Sequence, residues 1–92
     1  MEQFKKYRRT QIAEMRPVVP YDISCFKHSG NIAAYGDGIL DKLGVKVSIS
    51  EADLKNGSPK IGDMIARNPK NWKDQWLVAK QYFRDNFEEF VG

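Results

Sequence analysis

The sequence predicts an α+β fold: a small antiparallel sheet of three to four strands packed against a C-terminal amphipathic helix, with a helical insertion near residues 36–44. Three stretches carry that expectation. Residues 45–50, VKVSIS, alternate apolar and polar side chains, the period-two pattern of a half-buried strand. Residues 63–67 and 75–79, DMIAR and QWLVA, both read as strands, and the NPKNWKD between them reads as a hairpin loop. Residues 79–90, AKQYFRDNFEEF, change period: Phe83, Phe87 and Phe90 fall at i, i+4 and i+7, a stripe that belongs to a core. Each buried Phe contributes roughly 1.5–3 kcal/mol, so this helix is expected to clamp the sheet.

In chain order, residues 7–17, YRRTQIAEMRP, contain β-branched Thr10 and Ile12 and end at Pro17, which favours extended backbone just before it. A strand here puts Ala13 and Met15 on one face and Ile12, Glu14 and Arg16 on the other; a helix through Phe4, Tyr7, Gln11 and Met15 is the competing reading. PVVPYD follows as a proline-fixed extended connection. HSGN and YGDG are turn chemistry. In DGILDKLG, Asp37 can cap a short helix with Ile39, Leu40 and Leu43 on its apolar side and Gly44 at its end. Ser50 and Asp53 are spaced like a capping box, so one or two helical turns should run through Leu54 and stop near NGSP. In the hairpin, Met64 and Ala66 oppose Ile65, and Trp76 and Val78 oppose Leu77, as a strand pair covered on both sides requires. NPKNWKD is long for a hairpin connection, so an irregular tip is expected.

Length makes residues 1–92 a single domain, with 24–44 an insertion or long connection. No apolar run approaches the ~20 residues that span a bilayer. Charge stands at the N-terminus where a secretory signal needs an apolar core, and a lone Cys25 cannot pair within the chain; a cytoplasmic protein is expected. The net charge of +3 is uneven, because residues 1–16 hold five Lys or Arg against two Glu. Lys5, Lys6, Arg8 and Arg9 can meet an acidic protein surface or nucleic acid, or can simply solvate a strand edge.

Reactive machinery is sparse. Cys25 and His28 lie three apart, which suits a small buried thiol and a turn histidine better than a nucleophile and its base. YGDGILDK lacks the Gly-Lys-Ser/Thr ending of a phosphate-cradling loop. One Cys and one His fall short of a structural zinc site, and Asp37, Asp41, Glu51 and Asp53 match no known cation loop. No catalytic residue, metal or cofactor is assigned. Binding is the alternative: Trp72 at the hairpin tip is flanked by Arg67, Asn68, Lys70, Asn71 and Lys73, a set suited to a protein interface or to stacking on a base. Trp72 can equally fold back onto its own sheet. If it faces outward, Trp72→Ala should weaken binding and leave the melting temperature nearly unchanged.

KKYRRTQIAEMRP, SISEAD with its following GSP, and above all GDMIARNPKNWKDQWLVAKQYFRDNFE resemble small accessory proteins of tailed bacteriophages and prophages. The likeness covers both ends of the chain and leaves 24–44 without a counterpart. It implies an origin in a phage or prophage gene acting in the host cytoplasm, and carries no reaction across. The expectation is a non-catalytic accessory protein that binds and inhibits or redirects a host bacterial protein, a defence component being the natural target. A nucleic-acid-binding accessory, or a protein that sequesters an anionic signalling nucleotide at a homo-oligomer interface, are the other readings.

Overall fold

The structure is a computed structural model, describing residues 4–8, 12–38, 40–86 and 88–89. The chain runs β1 (Lys5–Arg8), β2 (Ile12–Pro17), α1 (Pro20–Ser29), β3 (Ala33–Tyr35), β4 (Lys42–Lys46), α2 (Glu51–Lys55), β5 (Met64–Asn68), β6 (Asn71–Val78), α3 (Lys80–Asn86) and β7 (Glu88–Glu89). One antiparallel sheet has the order β6-β5-β2-β1-β7, and β3 and β4 form a separate pair. The α+β class is therefore established. Residues 7–17 take the strand reading.

The sheet is covered on both faces, as the two-sided apolar pattern of the hairpin requires. Ala13, Met15, Met64, Ala66 and Val78 make one buried cluster, with Trp76 and Phe83 of α3 packed against it. Ile65 and Leu77 face the other way, into a cluster with Val18, Ile32, Ala34 and Val47. Ile23 and Phe26 place α1 over this second face. The register explains both sets, since Met15 stands opposite Ala66 and Arg16 opposite Ile65, while Ala66 and Ile65 stand opposite Trp76 and Leu77. Beyond β4 the chain follows the outer edge of β6: Ser48 N–H donates to the Gln75 carbonyl at 2.9 Å and Ser48 O accepts from Leu77 N–H at 2.8 Å. That contact pairs backbone groups an open edge would expose.

Three expectations need correction. The helix of the middle segment lies at α1, not at 36–44. Pro20 opens α1 with a preset φ, Asp22 accepts from the Val19 N–H at 3.0 Å, and Gly30 closes it in the left-handed region at φ 78°. Gly36, Gly38 and Asp41 instead close a turn, Gly36 N–H donating to Asp41 O and Asp41 N–H to Gly38 O, both at 2.9 Å. Leu40 is 97% exposed, so no apolar helix face forms there, and Ile39 lies outside the described residues. The strand expected at 45–50 falls earlier, at β4, although Val47 is buried and Ile49 packs on the core. The C-terminal helix stops at Asn86, and Glu88–Glu89 pair with β1 as β7. Phe83 packs on the sheet as expected; Phe87 and Phe90 lie outside the described residues. Where the cap was legible it formed, the Ser50 hydroxyl accepting from Asp53 N–H at 3.1 Å to start α2.

Candidate functional site

The hairpin that joins β5 to β6 turns more tightly than its sequence predicts. Asn68 pairs with Asn71, leaving Pro69 and Lys70 as the connection. Side-chain carbonyls brace it: Asn68 accepts from Lys70 N–H at 2.9 Å and Asn71 from Lys73 N–H at 3.2 Å. The irregularity sits in the strand instead. Arg67 pairs with Gln75, so Trp72, Lys73 and Asp74 are supernumerary on β6 and bulge from the ladder. Gln75, 2% exposed, holds the bulge by donating from Nε2 to the Trp72 carbonyl at 2.9 Å and the Tyr35 carbonyl at 2.8 Å.

The bulge turns the Trp72 indole back over Arg67. The Arg67 guanidinium carbon lies 3.7 Å from the Trp72 ring centroid and 4.0 Å from that of Phe4. A planar cation this close to two rings has one on each face, so it is stacked between them. Its edge is engaged too: Nε donates to Glu14 Oε1 at 2.8 Å and Nη1 to the Gly36 carbonyl at 3.1 Å. Gly36 leaves room for this arrangement, because a Cβ there would lie 3.3 Å from the indole and displace the Asp41 carboxylate.

The structure places the tip residues at different depths. Arg67 is buried and its Nε and Nη1 donors are bonded inside, so it is not an exposed contact residue. Trp72 and Asn68 are half-buried, whereas Lys70, Asn71 and Lys73 are exposed. The indole has one face fixed on Arg67 and a cationic rim beside it. Lys5, Lys6 and Arg8 lie along β1, with Glu88 opposite Arg8 in the register; their side chains, and Arg9 altogether, are outside the described part. At Tyr7 and Arg8 the basic segment is flanked by β2 on one side and β7 on the other, so this part of it is no free arm.

A second buried cation had no reading in the sequence. Arg16 and Asp22 are 0% and 1% exposed and bond twice, Nη1 to Oδ2 at 2.7 Å and Nη2 to Oδ1 at 3.0 Å. The available signal was Pro20 followed by Asp22, a helix start with an acid in its first turn, which the extended reading of PVVPYD passed over. Cys25 is half-buried and His28 exposed on α1. Among the described residues no three His, Cys, Asp or Glu side chains gather in a way that could hold a metal ion. Nor is any described helix long and apolar enough to cross a membrane. No protein family matches this chain, and no curated protein or solved structure does either.

Proposed function

We propose that this chain is a non-catalytic binding protein of phage or prophage origin that docks onto a host bacterial protein in the cytoplasm and inhibits or redirects it. A component of host defence is the natural target. The carrying observation is the Trp72 indole, backed on one face by the buried, four-times-engaged Arg67 and rimmed by exposed Lys70, Asn71 and Lys73. Interfaces concentrate their energy in a few aromatic and cationic residues, and an anchor ordered before binding loses less entropy on docking. The phage resemblance of the hairpin and of the N-terminal segment supports the setting.

The test is affinity purification from bacterial lysate treated with nuclease, using the intact chain and a Lys70→Glu/Lys73→Glu variant. Both lysines are exposed, so the variant should remain folded. The expected result is one defined host protein in near-stoichiometric amount with the parent chain and its loss with the variant. Capture that disappears with nuclease would replace this reading by nucleic-acid binding.

A further inference from the structure

A cleft of about 440 Å³ opens between α1 and the β3–β4 pair, within the size range of small-molecule sites. It shares no residue with the hairpin tip. One helix stripe forms a wall, Tyr21, Cys25 and Ser29 at i, i+4 and i+8. The opposite wall is β4, through Lys42, Gly44, Val45 and Lys46, with β3 and Asn31 just before it completing the lining.

The local backbone gathers charge here. Lys46 pairs with Ala33 and Lys42 with Tyr35, so five residues of β4 span three of β3. In a regular strand the two lysines would stand roughly 13 Å apart; this bulge sets them opposite positions roughly 7 Å apart. Gly44, at φ 78°, lies in the bulge, and a Cβ there would meet nothing within 4 Å. Lys42 and Lys46 are the charged residues of the lining, and no acid faces them from α1 or β3 within it. Asp41, next in sequence, is turned the other way, its carboxylate accepting from Asp37 N–H at 3.1 Å. On the β3–β4 side, half-buried Ala33 and Val45, 36% exposed, offer apolar surface, and Tyr21, 43% exposed, stands beside it.

We propose that this cleft binds a small phosphorylated molecule with a planar body, the phosphate held by Lys42 and Lys46 and the ring lying between Tyr21 and the apolar side chains of Ala33 and Val45. Two ammonium groups brought to one rim match a dianion, and the absence of lining carboxylates leaves that attraction uncancelled. Tyr21 adds no negative charge at neutral pH, its hydroxyl holding its proton above the usual tyrosine range beside Tyr35 and Cys25.

Phenyl phosphate, inorganic phosphate and phenol, titrated separately into the full-length chain and followed by amide chemical shifts, test this. Phenyl phosphate should give saturable shifts in 21–29, 33–35 and 42–46, at least fivefold tighter than either fragment. A Lys42→Gln/Lys46→Gln variant, with both changes at exposed positions, should lose at least tenfold in affinity and keep its melting temperature. Equal affinity for inorganic phosphate would overturn the ring subsite, and shifts that map elsewhere or survive the double substitution would overturn the cleft itself. Because the hairpin lysines are untouched, capture of a host protein by this variant separates the two proposals.

Discussion

Trp72 stacks on Arg67 with 3.7 Å between the indole centroid and the guanidinium carbon, and the cation is buried while the ring is half-buried. A residue that sequence places at an exposed tip is therefore also a structural cover for an interior charge. Removing it should cost stability as well as binding. Trp72→Ala is expected to destabilise the fold by about 1–2 kcal/mol, the worth of a desolvated cation–π contact, not to leave the melting temperature unchanged. Urea unfolding measures this, and an unaltered midpoint would mean that the indole contributes to recognition alone.

Arg67 itself should be far more sensitive. Arg67→Ala strands the Glu14 carboxylate and the Gly36 carbonyl and separates two rings, at a cost of about 3–5 kcal/mol. Arg67→Lys keeps the charge but not the planar fork, so it should recover less than half of that loss. Equal stability of the lysine variant and the parent would show that stacking contributes nothing.

The Arg16–Asp22 pair predicts a particular pattern of coupling. Each single replacement, Arg16→Met or Asp22→Leu, leaves an unpaired buried charge and should cost about 3 kcal/mol or more. The double replacement removes both charges together and should be more stable than either single variant, despite losing the cap on the Val19 N–H. A double-mutant cycle by chemical denaturation decides it, and simple additivity of the two losses is the contrary result.

Asp63 ties the loop before β5 to the start of α3. Its carboxylate accepts from Ser58 Oγ at 2.7 Å, Lys60 N–H at 2.9 Å and Lys80 N–H at 3.0 Å, with the residue 0% exposed. Asp63→Asn turns one acceptor into a donor facing donors, so about 2–3 kcal/mol should be lost. Hydrogen exchange should accelerate first at the amides of Lys60 and Lys80. Unchanged protection at both would rule out this role.

Alkaline titration should reveal Tyr21. Hydrogen bonds to Tyr35, and then to Cys25, raise its pKa above the ordinary 10.0. The fold thus favours the protonated phenol, so its stabilisation is intact below pH 10.0 and fades as pH climbs beyond it toward the raised value. The phenolate absorbance of the parent should show a late step that is absent from Tyr21→Phe. Persistence of that step would assign it to another tyrosine.

Patterns that repeat over a few residues were readable in advance. Ala13 and Met15 on one face, Ile65 and Leu77 on the other, and the Ser50 cap each follow from alternation or from a side chain that meets backbone three positions on. The middle of the chain resisted because its period is ambiguous: ILDKL fits a helix face, yet the Asp41 turn and pairing with β3 draw residues 42–46 into a strand. The helix there begins instead at Pro20, where an acid in the first turn found a buried arginine.

By itself, then, the order of residues determined an α+β domain, a strand pair buried on both sides, and an aromatic, basic segment between those strands. Tertiary structure alone decided where the charges go. Arg67 turns inward because Glu14, 53 residues away in sequence, and Gly36, 31 residues away, meet its donors while Phe4 and Trp72 cover its faces. A guanidinium is stable inside only when such partners arrive together, and no local pattern encodes an encounter across that much chain.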